Sequence, residues 1–402
     1  MLNDIPVSYS DSSFRTVTPQ ETIENYQNRI KTAGITRISD ITHLDSVGIP
    51  VFTAVRPNSQ DGSVSVYAGK GATKSQAKAS AMMEAYERYS AERQESDDER
   101  IIVSSFKDLP NSIDLNSLNL PKDINYDDDK IEWIKSKEIN TGKEYYVPAN
   151  GVFHPYLNSS YLKLFRSNTN GLASGNVLEE AILHGIFEVV ERDAWSIFEL
   201  TKINNKEIEL NDFKNPLIID MLEKFKKRDI DIKLMNLTAD VNIVTIAASS
   251  DDKSLKDPAL LTLGIGTHLN PEIAVLRALS ELAQSRVTQI HGTREDTTRV
   301  DFMRKAGYER MKRINKAYFQ HEEEKININD IKDQSSNSLK KNIDISTQQL
   351  KKASLNKILF TDLTKSEIGV NAVRVIIPEA ELYSLDPDRI GKRALKYQEK
   401  HS

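Results

Sequence analysis

The chain has 402 residues, with 54 basic and 59 acidic side chains for a formal charge of −5, 39% hydrophobic residues and no cysteine. The hydrophobic content supports a real core and excludes wholesale disorder. The lack of cysteine excludes disulfides, cysteine-ligated zinc or iron–sulfur clusters, and a thiol nucleophile. The acid surplus argues against a general nucleic-acid binder, and no run approaches the roughly 18 apolar residues of a membrane span, so a cytoplasmic protein is expected, with neither nucleic acid nor membrane as partner.

In chain order, the first dozen residues read as loose and polar. Thr18-Pro19-Gln20-Glu21 has the form of a capping box with proline at the first helical position, opening a helix that Gly34 ends. Strand-like runs follow near Thr36–Thr42, Ile49–Arg56 and Val64–Ala68. Gly69-Lys70-Gly71 then reads as a glycine turn before a long helix that reaches about Glu92. The stretch from about Glu95 to Glu138 is charged and reads as a surface excursion. A second glycine-preceded helix spans about Val177 to Leu200, after Tyr145–Val147 and the run Gly171–Gly175. β-type runs at Asp231–Asn236, Ile243–Ala248 and Leu260–Leu263 lead through Gly264-Ile265-Gly266 to a third helix over about Pro271 to Gln289. Residues 294–353 are highly charged and read as a solvent-facing helical insertion; Ala372–Ile377 is the last strand. The expected organisation is an integral helix–strand segment over 1–59, a main domain over 60–395 and a short tail over 396–402.

The three long helices echo one another. Aligned on Ala77, Ala181 and Ala274, they carry Ser80, His184 and Arg277 three residues on, Glu84, Glu188 and Glu281 seven on, and Glu87, Glu191 and Gln284 ten on. At about 100° of rotation per residue those offsets stay on one stripe, so each helix presents a polar seam. The second helix is apolar nearly all round and therefore buried, which places Glu180, His184, Glu188 and Glu191 in a core. Buried carboxylates need positive partners. One answer is internal pairing, with Arg88, Arg192 and Arg277 tying the helices together; the other is a hard divalent cation. Mg²⁺ shares carboxylates with nucleotide phosphates, so the residues point to a Mg–nucleotide site between helices without choosing the nucleotide. A P-loop is absent, and Gly69-Lys70-Gly71 is only a weak phosphate signal.

The segments GKGATKSQAKASAMMEAYERYSAE, SNTNGLASGNVLEEAILHGIFEVVERDAW and GIGTHLNPEIAVLRALSELAQSR resemble the three signature blocks of the YcaO family, and ITRISDITHLDSVGIPVFTAVRP upstream and AVRVIIPEAELY downstream match in order. The resemblance spans about Arg15 to Arg393. It implies a mixed α/β fold with sheets flanked by long helices, three related strand–glycine turn–helix units and a nucleotide site between helices. It also implies an ATP- and Mg²⁺-dependent enzyme that phosphorylates a peptide amide oxygen. By position, Glu84, Glu87, Glu188 and Glu191 would hold Mg²⁺. Ser80, Asn176, Glu180, Arg192, Arg277 and Glu281 would contact nucleotide, with Arg15 and Thr22 at a family spacing and Lys70 added on chemical grounds alone. No covalent protein nucleophile is implied. Azoline-forming members end in a proline-rich tail, whereas here no proline follows Pro387, and IIPEAELYSLDPDRIGKRA is similar to archaeal members that install thioglycine in the α subunit of methyl-coenzyme M reductase. That branch implies external sulfide and a TfuA-like partner protein, with a homodimer among the expected assemblies. Cyclodehydration of peptide Cys, Ser or Thr, and a nucleotide-binding regulator without turnover, are the alternatives.

Overall fold

The computed structural model describes residues 2–10, 13–157, 159–203, 206–292 and 300–401. Strands β1 (Ser8–Ser10) and β2 (Ser13–Arg15) form a hairpin. The N-terminus is pinned rather than loose: the Asn3 amide donates to Glu179 at 2.6 Å, Pro6 bridges Ser338, and Val7 is buried, because Leu2, Ile5 and Val7 pack on an apolar core. The expected capping box starts helix α1 (Pro19–Tyr26), with the Thr18 amide donating to the Glu21 carboxylate at 2.7 Å and the Glu21 amide to the Thr18 hydroxyl at 3.2 Å.

Strands β3 (Arg37–Asp40), β4 (Val51–Val55) and β5 (Val66–Lys70) make a three-stranded antiparallel sheet that feeds helix α2 (Lys74–Ala91). Next come β6 (Ile101–Ser104), β7 (Ile131–Glu138), β8 (Glu144–Pro148), β9 (Leu172–Gly175) and helix α3 (Leu178–Thr201). Strand β10 (Lys206–Ile208), helix α4 (Pro216–Lys226), strands β11 (Ile230–Asn236), β12 (Val244–Asp252) and β13 (Thr262–His268), and helix α5 (Pro271–His291) follow. The chain closes with α6 (Val300–Ala306), α7 (Tyr308–Ile314), α8 (Lys316–Phe319), β14 (Lys325–Ile326), α9 (Leu339–Lys352), β15 (Leu359–Asp362), β16 (Asn371–Ile376) and α10 (Lys392–His401). One sheet runs β6–β7–β15–β16–β9 with β8 beside β7; another runs β13–β12–β11–β10–β14, in which only β10 and β14 are parallel. This is the mixed α/β architecture that the sequence implied.

Three further local expectations change. The surface excursion at 95–138 instead supplies sheet and core: β7 pairs with β6, β8 and β15, and Ile113, Leu115, Trp133 and Ile134 are buried together. Most of its charges stay exposed, while the buried Asp97 is taken by Lys365 from a distant segment, so local charge density misjudged the burial of the apolar residues between them. The stretch read as a solvent-facing arm begins with the short helices α6–α8, but Leu339, Ile343 and Leu350 on α9 join the core around α3. Residues 293–299 of that stretch lie outside the described residues. Thirdly, Gly69 and Gly264 lie inside strands β5 and β13, not in turns. A Cβ on Gly69 would sit 2.0 Å from the Ala81 nitrogen, and one on Gly264 2.2 Å from the Leu282 nitrogen. These glycines let a helix backbone lie directly on its strand. Among the described residues no helix is long and apolar enough to cross a membrane.

Candidate active site between three helices

Each strand–helix unit buries its anchor alanine, Ala77, Ala181 or Ala274, with no exposed surface. The polar seams of α2, α3 and α5 then converge. All nine seam residues, Ser80, Glu84, Glu87, His184, Glu188, Glu191, Arg277, Glu281 and Gln284, line one cavity of about 600 Å³. The remaining sequence-derived candidates reach the same cavity from elsewhere: Arg15 from β2, Thr22 from α1, Lys70 from β5, Asn176 and Glu180 from the start of α3, and Arg192 from its middle. Every candidate residue is therefore in one place.

Internal pairing does not account for the seams. Arg88 approaches only its own helix, at 3.5 Å from Glu84 and 3.7 Å from Glu87, and Arg192 lies 3.5 Å from Glu191. Among the described residues Arg277 meets no carboxylate; its Nη2 lies 3.5 Å from His184 Nε2. A direct pair between elements does join Lys70 to Glu281, and Gln284 donates to the Ala68 carbonyl, together tying α5 to β5. Buried atoms left without a partner include Glu191 Oε2, His184 Nδ1, Arg88 Nε and Nη1, and Arg277 Nε. Native interiors seldom leave such atoms unsatisfied, and these belong to residues that line the cavity, which makes them candidates to meet a polar ligand.

The electrostatics divide the cavity. Burial pushes the Glu87 carboxyl well above its usual range, and neighbouring Glu188 and Glu84 add to it against Arg88. Burial likewise raises Glu188, and raises Glu191 to about 7, where Glu281 repels it. Glu281 itself is held low: Lys70 and Arg192 outweigh its burial. Elsewhere burial, together with Arg15, Arg277 and Lys70, keeps His184 neutral, and burial near Arg277 and Arg15 lowers His268 to about 3. One part is thus short of cations and the other rich in them.

Glu180 spends its oxygens on the protein. It accepts from the Thr16 amide at 2.9 Å and from the Asn176 amide and side chain at 2.7 and 3.0 Å, with Arg15 at 4.0 Å. Thr22 in turn donates to the Asn176 side chain at 3.1 Å. This network docks the N-terminal strand and α1 onto α3. The sequence reading missed an apolar wall in which Phe14 and Phe187 meet His268 edge-on, with ring centres at 5.9 and 5.1 Å. The adjacency of Phe14 to Arg15 was its one visible signal.

Among the described residues no group of three or more His, Asp or Glu side chains is gathered to hold a metal ion unaided. The donor set nevertheless suits Mg²⁺, which takes a few carboxylates and completes its shell with water and phosphate oxygens. The model for YcaO cyclodehydratase, ATP- and Mg²⁺-binding, matches residues 68–381. The chain belongs to the YcaO family. The matched span contains α2, α3 and α5, so the nine seam residues fall within the family domain. ATP and Mg²⁺ are accordingly the cofactors of the family. A protein of Methanothermobacter thermautotrophicus is 50% identical over 94% of this chain and 97% of its own length. Another, encoded in the tfuA 3′ region of Rhizobium leguminosarum bv. trifolii, is 33% identical over 71% of this chain and 70% of its own. YcaO from Methanopyrus kandleri bound with AMPPCP and Mg²⁺ superposes with a TM-score of 0.79 at 29% identity, over 97% of this chain and 98% of that one. A heterocyclase in complex with substrate and cofactor shares the fold, with a TM-score of 0.83 at 24% identity over 95% of this chain and 54% of that one.

Proposed function

We propose that this chain activates a backbone amide of a peptide for thioamide formation, with a glycine of the methyl-coenzyme M reductase α subunit as substrate. The balance is amide, hydrosulfide and ATP giving thioamide, ADP and phosphate, with the amide oxygen leaving in the phosphate. The observation that supports a nucleotide for this activation is that Glu191, Arg88 and Arg277, each with a buried unpartnered atom, line a single cavity. When bound, ATP supplies the phosphoryl group and Mg²⁺ neutralises phosphate charge. Glu84, Glu87, Glu188 and Glu191 would hold the cation where burial has left carboxylates short of positive charge. Arg15, Lys70, Arg192 and Arg277 would take phosphate oxygens, with Ser80, Asn176 and Thr22 orienting them and Glu180 and Glu281 fixing Arg15 and Lys70. Such chemistry asks for positioning and charge neutralisation rather than a protein nucleophile, which a chain without cysteine can provide. Without a thiol the chain cannot carry sulfur as a persulfide, so sulfide must come from outside. A TfuA-like partner is supported by the relative encoded in a tfuA region, and the thioglycine branch by the 50% identical methanogen protein.

Cyclodehydration is the second reading, favoured by the description of the family as cyclodehydratases. Intact-mass analysis separates the two. Incubation with ATP, Mg²⁺, sulfide, a glycine-containing peptide and the TfuA-like protein should release phosphate and add about 16 Da, whereas ring formation would remove about 18 Da. Absence of phosphate release above background would favour the regulator reading instead.

A further inference from the structure

Helix α5 lays out the chemistry of the cavity along its own axis. The residues it gives to the lining are apolar at Ile273, charged at Arg277 and Glu281, and polar but uncharged at Ser285, Thr288 and Gln289. Offsets of 4, 7 and 8 from Glu281 return to the same face of a helix, so the last three prolong the seam by two turns. The other two helices stop sooner. Their last residues on the cavity are Arg88 and Arg192, each directly after the final seam glutamate. At 1.5 Å of rise per residue, Ile273 and Gln289 lie about 12 Å to either side of Glu281.

The two ends differ in kind. At the Ile273 end the cavity also meets Leu183, Phe187 and His268, all buried, with Phe14 against His268. A flat apolar wall of this kind suits a purine base. At the other end Ser285, Thr288 and Gln289 are half-buried and within reach of solvent. Among the described residues, Gln60, Asn150, Asn170 and Gln289 each have a buried side-chain amide oxygen without a partner, and of these only Gln289 lines the cavity. That oxygen, Oε1, can only accept a hydrogen bond. An ionised phosphate, itself an acceptor, does not satisfy it, whereas a peptide N–H does.

We infer that the peptide whose amide is activated lies along the C-terminal half of α5, with Gln289 Oε1 accepting one of its backbone N–H groups. This rests on a nucleotide and a peptide amide sharing the cavity, as proposed above. With the base against the apolar wall and the triphosphate at the carboxylates, ADP departs toward Ile273. In-line transfer then brings the acceptor oxygen from the opposite side, which is the Gln289 end. An extended peptide advances about 3.4 Å per residue, so the roughly 12 Å from Glu281 to Gln289 puts the bonded N–H about three or four residues from the activated amide. Gln289 thus holds the register of the peptide and takes no part in the phosphoryl transfer itself.

The test uses the full chain loaded with Mg²⁺ and AMPPCP, and a fluorescent alanine–serine peptide of about 10 residues with one central glycine, long enough to reach Gln289 from that glycine. Copies of the peptide, each methylated at a single backbone nitrogen, remove its donors one at a time. In fluorescence anisotropy one copy, methylated about three or four residues from the glycine, should bind the parent about tenfold more weakly than the unmethylated peptide. Gln289→Met should lose about the same factor with the unmethylated peptide and nothing further with that copy. Its affinity for Mg–AMPPCP and its circular dichroism should stay those of the parent. Methylation losses that are the same in parent and Gln289→Met at every position would overturn the proposal. So would a tenfold fall in Mg–AMPPCP affinity in Gln289→Met, or failure of the unmethylated peptide to bind the loaded parent. Product mass decides the thioamide reading on separate evidence, so either reading can fail alone.

Discussion

Two kinds of buried charge coexist in this molecule, and they are built differently. Away from the cavity, Arg286 is 1% exposed and sits between Asp45 at 2.9 Å and Asp252 at 3.1 Å. Arg56 clasps both oxygens of Glu92 at 3.1 and 2.9 Å, and Lys365 is engaged with Asp97. In these sites opposite charges from distant segments meet closely. Around the cavity, Arg88 and Arg192 stand 3.5 Å or more from carboxylates of their own helix, and several of their neighbours' polar atoms have no partner. The same residue types thus cross-link the fold in one place and wait for a ligand in the other. Distance distinguishes them, since Arg286 too keeps one nitrogen, Nη1, without a partner; composition does not.

Breaking a closed site should have the largest effect on folding. Arg286→Met leaves Asp45 and Asp252 buried and unpaired, and should cost about 3–5 kcal/mol in urea unfolding at neutral pH. A loss below about 1 kcal/mol would mean that this cluster is not the cross-link its geometry describes. At the open site the loss should fall on turnover. Glu84→Gln should lower the rate of ATP-dependent phosphate release by about 10²–10³-fold while leaving the chain folded. If the rate held and stability dropped, Glu84 would belong with the closed class.

Glu191→Gln sharpens the contrast further, because removing a charge there should stabilise the ligand-free protein. The folded carboxyl titrates near 7 against an ordinary value of 4.5. Between those values the folded state holds more protons than the unfolded state, so this group lowers stability as pH rises through the window. Thermal denaturation should show the glutamine variant more stable by about 1–3 kcal/mol at pH 8 and no different near pH 4. A variant less stable at pH 8 would show that the charge is paired after all.

The smallest effect is expected at an exposed member of the closed class. His321 bonds Glu207 at 2.7 Å and Asp231 at 3.0 Å, and although burial alone would lower its pKa, those contacts raise it above 6.5. Its contribution should be complete below pH 6.5 and be lost as pH rises through the higher folded value. With the ring 38% exposed, His321→Gln should cost no more than about 1 kcal/mol at pH 6 and less at pH 9, by the same unfolding assay. A cost that did not vary with pH would assign the residue a packing role.

Much of the candidate site was legible because it repeats. Serine, glutamate and glutamate at offsets of 3, 7 and 10 in one helix signify little, but the related pattern in three helices exposed a seam shared by Glu84, Glu188 and Glu281. Helical periodicity is a local property, so it survives in a linear reading. Arg15 and Thr22 had no such periodicity and were visible only through the family resemblance. The apolar wall of Phe14, Phe187 and His268 comes from three separate segments and carried no periodic pattern, only the adjacency of Phe14 to Arg15. Strand β7 was lost in the charged 95–138 stretch because two of its partners, β8 and β15, lie outside it, and β6, an edge strand that pairs with β7, was lost with it. The strand glycines were recognised as glycines and given the wrong task, since close approach of a helix to Gly69 or Gly264 is a tertiary contact.

Amino-acid order by itself determined the three amphipathic seams, the crowd of acids within them and the absence of any thiol, because these depend on residue identity and helical period alone. Only the tertiary structure decided which charges close on one another and which stay open. That choice rests on distances of a few ångströms between segments far apart in the chain. Coulomb attraction falls with separation and rises with burial, so an arginine at 2.9 Å from its partner is a cross-link, while one at 3.5 Å beside an unpaired carboxylate oxygen is part of a binding site.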